Sequence, residues 1–176
     1  TKTYFKDLPE VDARNKAGVY MAVPFFIGVF LVPTFGYIID KVGQRSYLAI
    51  SSAIFGLAVF IMFFFLPPLV PLIALGFTYS LFASVIWPSI AIVCQRQHAG
   101  LAFGLSTSLQ NAGLAIFPVI VAALLTHYNN NYSVALCFFL VMMGISILLC
   151  ILLINEDKKL GGILNNVKFD EEQLKL

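Results

Sequence analysis

The sequence predicts an all-α membrane protein with five transmembrane helices. Hydrophobic residues make up 60% of its 176 residues and charged residues 11%, and the mean hydropathy is +0.90. Water-soluble domains carry charge over their whole surface and contain about 25% charged residues. Between positions 17 and 154 only four residues have a formal charge, and they lie at the breaks between long apolar runs: Asp40, Lys41, Arg45 and Arg96. Such a segment cannot supply a soluble surface, so its helices must lie in lipid.

Five apolar runs are long enough to cross the hydrocarbon core of a bilayer, which takes roughly 20 residues in a helix. They cover residues 17–39, 47–66, 69–94, 101–126 and 134–154. Transmembrane β-strands would be runs of roughly 10 residues that alternate apolar and polar side chains, and the sequence lacks this alternation. Each run is therefore predicted to be a helix, in which the backbone polar groups are satisfied internally.

Short connections join the predicted helices, at residues 40–46, 67–68, 95–100 and 127–133. They leave no room for an extramembrane catalytic domain. The first and third connections contain lysine or arginine, whereas the second and fourth contain neither. By the positive-inside rule, the first and third connections are expected in the cytosol.

An odd number of spans places the two ends of the sequence on opposite sides of the membrane. Residues 1–16 are expected to form an extracytosolic loop or the end of a preceding helix. Residues 17–155 are expected to form the transmembrane bundle, and residues 156–176 a cytosolic tail. Five helices are a poor number for enclosing a central pathway, so we expect at least one further span before Thr1.

The most specific motif lies between the first two predicted helices and reads G-Y-I-I-D-K-V-G-Q-R over residues 36–45. Gly36 is expected to permit a close approach of helices, and Gly43 a reversal of the chain. The Asp40 carboxylate can pair with Arg45 or face the positive N-terminal end of a neighbouring helix. Because such contacts form in one packing arrangement and break in another, the motif, including Lys41, is interpreted as a cytosolic latch. The alternative is a basic loop that only sets the orientation.

This motif resembles the signature loop of the major facilitator superfamily, G-x-x-x-D-[RK]-x-G-x-[RK]. The superfamily has this loop after its second helix and, in weaker form, after its eighth, so the five predicted helices resemble helices eight to twelve of that fold. Residues 79–81, 87–88 and 108–116 are also similar to the tenth and eleventh helices of a lysosomal dipeptide carrier of the superfamily. The resemblance covers about residues 17–155, and the first seven helices have no counterpart in this sequence.

The resemblance implies a secondary transporter that binds a small polar organic solute, such as a dipeptide or an amino acid, near the middle of the lipid bilayer. Its two halves would rock about that site, which is the alternating-access mechanism. The implied location is a lysosomal or other endomembrane rather than the plasma membrane, with the C-terminus in the cytosol. The implied partners are the missing N-terminal transporter half and a glycosylated accessory membrane protein, and no nucleic acid. The alternative is a non-transporting scaffold or receptor subunit built on the same bundle.

Two predicted helices carry stripes of small or polar residues at helical spacing. The stripes are Ser80, Ser84, Trp87 and Ala91 in the third helix, and Gly100, Gly104, Ser108, Asn111 and Ala115 in the fourth. An amide is costly in hydrocarbon, so Asn111 should face a cavity or a polar partner, and the Trp87 ring can stack on an ammonium group. The residues predicted to bind substrate are Trp87, Asn111, Ser84, Ser108, Tyr79, Tyr20 and Gln110.

Structural alternatives remain open for several residues of the two stripes. The Gly100-x-x-x-Gly104 pair fits plain helix packing. The serines can bond the carbonyl groups of their own helices, and Trp87 can be a bulky core residue.

Several kinds of chemistry are not expected. The three cysteines lack metal-ligand spacing, and His98 and His127 stand alone. The sequence contains no catalytic constellation and no nucleotide-binding motif, so no metal, cofactor or enzyme activity is expected. Proton-coupled carriers need a titratable group near the pathway, and no Asp or Glu lies deep in a predicted span. Transport is therefore expected to be facilitated diffusion, or to use coupling residues in the missing half.

Overall fold

The computed structural model describes residues 10–166, so part of the predicted outer segment 1–16 and part of the predicted tail 156–176 lie outside the described residues. The described part contains no strand. It forms five long helices: α1 (Glu10–Val42), α2 (Arg45–Phe65), α3 (Leu69–Val93), α4 (Ala99–His127) and α5 (Tyr132–Lys159). All five are long and apolar enough to cross a membrane, which confirms the predicted all-α membrane fold.

The outer helices are longer than the apolar runs that predicted them. The first begins at Glu10 instead of residue 17, and the last continues to Lys159 instead of residue 154. Hydropathy marks where a helix leaves the hydrocarbon, but lysine, glutamate and alanine are good helix formers and extend the helix into water. The polar ends of both helices therefore remain helical.

The connections divide the bundle into two ends. The first end, here called the loop end, holds the α1–α2 turn, a 3₁₀ turn at Arg96–His98 and the end of α5. The other end holds the proline turn at residues 66–68 and the α4–α5 connection, where the side chain of Asn131 accepts a hydrogen bond from the N–H of Ser133 at 3.1 Å. The four charged residues between positions 17 and 154, Asp40, Lys41, Arg45 and Arg96, all lie at the loop end.

The third helix is the centre of the packing, because α1 and α2 both pack against it and α5 packs against α2. The α1 and α3 backbones touch, since a Cβ built on Gly76 would lie 2.9 Å from the Cα of Pro24. Small residues permit this approach in a membrane, where van der Waals packing replaces the hydrophobic effect. Near the loop end the core contains Ile39, Ala49, Leu81 and Val85.

The fourth helix contacts its neighbours lightly and has no buried residue. A Cβ built on Gly100 or Gly104 would meet no atom within 4 Å, so the expectation that this pair packs a helix is wrong for the described residues. The same is true of Gly36, which was expected to permit a close helix approach. At none of the three glycines would an added side chain meet a neighbouring helix of the described residues within 4 Å.

Candidate functional site

A hollow of about 710 Å³ lies between α3 and α4. The lining residues of α3 are Tyr79, Phe82, Ala83, Ile86, Trp87 and Ile90, and those of α4 are Ser106, Leu109, Gln110, Gly113, Leu114, Phe117 and Pro118. Each set recurs every three or four residues, which places it on one face of its helix. Phe139 of α5 also lines the hollow.

Most of the lining is apolar, and the hydrogen-bonding side chains in it belong to Tyr79, Trp87, Ser106 and Gln110. They offer a phenol, an indole N–H, a hydroxyl and a carboxamide. None of the lining residues is charged. A few polar groups in an apolar wall are typical of small-molecule sites, where they orient a ligand that the wall desolvates.

Aromatic contacts fix the walls of the hollow. The Trp87 ring stacks on Phe103 of α4, with centroids 6.2 Å apart and planes inclined by 16°. On the opposite side Phe117 contacts Phe138, with centroids 6.0 Å apart, and Phe138 contacts Phe139 at 5.6 Å. Offset stacked and tilted rings at these distances attract each other. The aromatic wall is therefore held by both α4 and α5.

Of the residues predicted to bind substrate, the structure brings Trp87, Tyr79 and Gln110 to the hollow. Ser108 and Asn111 lie exposed on another face of α4, and Tyr20 is half-buried in α1. These three side chains do not line the hollow. Substrate contact by any of the predicted residues stays a prediction.

Ser84 faces α1 instead of the hollow. Its hydroxyl lies 2.9 Å from the carbonyl oxygen of Val32 and 2.7 Å from that of Ser80. Ser80 is fully buried and donates to the carbonyl of Gly76 at 2.6 Å. The two serines of the predicted stripe thus lie on the face of α3 that packs against α1, whereas Trp87 of the same stripe lines the hollow. Both serines bond backbone carbonyls, as the structural alternative held.

The prediction missed Ser106 and the aromatic residues Phe82, Phe117 and Phe139. Ser106 precedes Gln110 by four residues, about one helical turn. A stripe centred on Gln110 instead of Asn111 would have included it. The phenylalanines gave no signal, because phenylalanine occurs on every face of these helices.

The α1–α2 turn brings two of the predicted latch residues together. Gly43 and Gln44 have positive φ angles of 70° and 54°, and they reverse the chain. Arg45 then forms an ion pair with Asp40, in which the arginine side chain is 6% exposed and the aspartate 65%. The ammonium group of Lys41 lies apart from this pair, 4.3 Å from the centroid of the Tyr37 ring. A latch function for the pair stays a prediction.

The segment after α5 turns back toward this loop. Gly162 N–H donates to the carbonyl of Asp157 at 2.7 Å, and Gly161 N–H to that of Lys158 at 3.3 Å. This pair of bonds is the Schellman motif, which requires a positive φ at the residue after the C-cap, and Gly161 has a φ of 86° there. Gly162 also has a positive φ, 75°. The residues that follow form turns up to residue 166.

Residues 12–170 match the family model of the Major Facilitator Superfamily. The chain belongs to this superfamily. It is similar to the lysosomal dipeptide transporter MFSD1 of Bos taurus, with 31% identity over 166 residues that cover 93% of this chain and 35% of the relative. The Homo sapiens protein of the same name is 30% identical over 165 residues, with the same shares. The Gallus gallus protein is 31% identical over 155 residues, which cover 87% of this chain and 35% of the relative.

This match confirms the membership of the major facilitator superfamily that the loop motif at residues 36–45 predicted. The superfamily chain described here spans about a third of the curated relatives that it matches, with a share of 35%. Its loop motif and its hollow lie within the matched residues 12–170.

Proposed function

We propose that this superfamily member takes part in carrying a small polar organic solute, such as a dipeptide or an amino acid, across a membrane by alternating access. Three of the residues predicted from the sequence, Tyr79, Trp87 and Gln110, meet at one hollow between α3 and α4, and this observation carries the proposal. The similar proteins are named lysosomal dipeptide transporters, which supports the substrate class and favours the lysosomal membrane as the location.

The hollow suits the uncharged parts of such a solute. The carboxamide of Gln110 offers both donors and an acceptor, and it can pair with a peptide group in the same way as another amide. The rings of Trp87 and Tyr79 can pack against a side chain or, through cation–π attraction, against an ammonium group. Because no residue of the lining is charged, the carboxylate of the solute needs a partner outside the hollow.

The charge distribution supports one orientation. Lys41, Arg45 and Arg96 lie at the loop end. This end and the C-terminus are therefore proposed to face the cytosol. The Asp40–Arg45 pair would then act as a cytosolic latch. Between residues 46 and 154 the sequence has no Asp or Glu, which favours facilitated diffusion for this part of the transporter. A glycosylated accessory membrane protein is proposed as a partner.

Uptake of a labelled dipeptide into proteoliposomes that contain the full-length protein tests the proposal. Gln110→Leu and Asn111→Leu form a matched pair, because both replace an amide of α4 by leucine but only Gln110 lines the hollow. We expect Gln110→Leu to raise the half-saturating concentration about tenfold, since a buried amide of the substrate loses its partner. Trp87→Ala should reduce uptake to a similar extent.

The outcomes separate the possible sites. If Asn111→Leu alone reduces uptake, the open face of α4 binds the solute and the hollow does not. If all three variants fold and transport as the parent protein does, the site assignment fails. Absence of uptake by the parent protein would favour the non-transporting subunit.

A further inference from the structure

The segment after α5 lies on the first turn of α2. Leu164 is 3% exposed, and its carbonyl accepts a hydrogen bond from Arg45 N–H at 3.2 Å. The carbonyl of Asn165 accepts from Gln44 N–H at 3.3 Å. The side-chain oxygen of Asn165 accepts twice from Ser46, from its N–H at 3.2 Å and from its hydroxyl at 2.8 Å.

These contacts satisfy donors that α2 cannot satisfy itself. The first N–H groups of a helix have no partner within the helix and usually bond a side chain at the N-cap position. The N-cap residue of α2 is Gln44, which has a left-handed backbone and whose side chain makes no capping bond. Leu164 and Asn165, more than a hundred residues further along the chain, provide the acceptors instead.

A buried carboxylate holds the capping residues in place. Asp157 is 4% exposed. It accepts a hydrogen bond from Leu164 N–H at 2.9 Å and one from the side-chain N–H of Asn165 at 2.7 Å. The hydroxyl of Ser46 lies 3.5 Å away. The partial positive charge at the start of α2 also favours this negative charge.

We propose that residues 157–165 form an intramolecular clasp that fixes the α1–α2 loop, with Asp157 and Asn165 as its positioning residues. Arg45 connects the clasp to the proposed latch, because its backbone N–H bonds Leu164 while its side chain pairs with Asp40. Release of the clasp would free the first turn of α2. This turn contains Arg45, whose side chain forms the ion pair with Asp40. The clasp itself does not depend on the proposed function, but its effect on transport rests on it.

Amide hydrogen exchange of the full-length protein in lipid nanodiscs tests the clasp at the N–H groups of Gln44, Arg45 and Ser46. Asp157→Asn replaces one of the two accepting oxygens by an NH2 donor, which then faces the N–H of Leu164 or the side-chain N–H of Asn165. Asn165→Asp places two carboxylates against each other. Each change removes at least one bond of the clasp, so exchange at these three amides should become about tenfold faster.

The double variant tests whether the contact between residues 157 and 165 causes the change in exchange rate. Asp157→Asn with Asn165→Asp restores a carboxamide and a carboxylate with their roles exchanged, and exchange should return to within about threefold of the parent rate. Glu156→Gln is the matched control. It removes an exposed ion pair with Lys159, 2.7 Å long, at the neighbouring position, and should leave exchange at the three amides unchanged. Unchanged exchange in both single variants, or no recovery in the double variant, would overturn the clasp.

Dipeptide uptake tests the connection to transport. None of the clasp residues lines the hollow, so the single variants should change the maximal rate by threefold or more, an effect of about 0.7 kcal/mol on the barrier, and leave the half-saturating concentration unchanged. Faster exchange with an unchanged maximal rate would overturn the connection to the latch. Absence of uptake by the parent protein would contradict the proposed function and leave the exchange result to decide the clasp.

Discussion

The indole ring of Trp87 stacks on the phenyl ring of Phe103, with 6.2 Å between their centroids and 16° between their planes. This contact joins α3 to α4, a helix that buries none of its own residues. It also forms one side of the hollow, because Trp87 is part of the lining. The shape of the candidate site thus depends on an aromatic pair between α3 and the lightly packed α4.

Replacement of Phe103 by alanine should expose Trp87 and loosen the hollow. An aromatic pair of this kind contributes about 0.5–1.5 kcal/mol beyond the area that it buries. Trp87 is the sole tryptophan of this chain, so its fluorescence reports the change, and we expect a red-shifted emission and faster quenching by a water-soluble quencher. Phe103→Leu keeps most of the volume and is the control. Identical emission in the alanine variant and the parent protein would contradict the stacked arrangement.

Ser84→Ala should have a small effect on stability and no effect on solute affinity. The hydroxyl of Ser84 lies between two backbone carbonyls, those of Val32 and Ser80. Interhelical hydrogen bonds of side chains in membranes contribute about 0.6 kcal/mol on average. Ser84→Leu places a large side chain at the α1–α3 contact and should lower the thermal unfolding temperature clearly. A large loss of solute affinity in Ser84→Ala would show instead that this serine contacts the solute.

The two glycines of the loop motif should respond differently to alanine. Gly43 has a φ of 70°, and a residue with a Cβ is strained there by about 1–2 kcal/mol. Gly36 is helical, and a Cβ at this position would meet no atom within 4 Å. Gly36→Ala should therefore be neutral or stabilising in thermal unfolding, whereas Gly43→Ala should destabilise. The opposite order would show that the turn has another conformation.

The partners of the proposed latch should contribute unequally to stability. Asp40 is 65% exposed, so water screens its pair with Arg45, and Asn at this position keeps an oxygen acceptor for the guanidinium. Asp40→Asn should therefore cost less than about 1 kcal/mol. Arg45 is buried, and a buried arginine packs its aliphatic stem against its neighbours. Arg45→Ala removes this packing and should cost about 2 kcal/mol. Chemical unfolding in detergent measures the free energy of unfolding of both variants. Equal losses of this free energy would contradict the buried position of Arg45.

Most of the fold follows from the sequence, because length and hydropathy are all that a transmembrane helix requires. The proline pair at 67–68 and the glycine at position 43 marked two turns correctly. Helix ends were less predictable, since residues such as Lys159 extend a helix beyond the hydrocarbon.

The candidate site was predictable only in part, because periodicity identifies a helical face but not what the face contacts. In α3 the small polar residues Ser80 and Ser84 pack against α1, and the bulky residues Tyr79 and Trp87 line the hollow. In water a polar stripe marks the outside of a helix, but in a bilayer it marks a contact as readily as a pathway. The clasp was beyond sequence reasoning, since nothing local relates Asn165 to Ser46.

The proline turn between α2 and α3 limits how the bundle can deform. Only residues 66–68 join the two helices, and the ring of Pro68 holds its φ at −60°. With so few free torsions, we expect α2 and α3 to move as one unit. Spin labels attached to both helices would keep a constant separation through a transport cycle, whereas a label on α4 would change its distance to either of them.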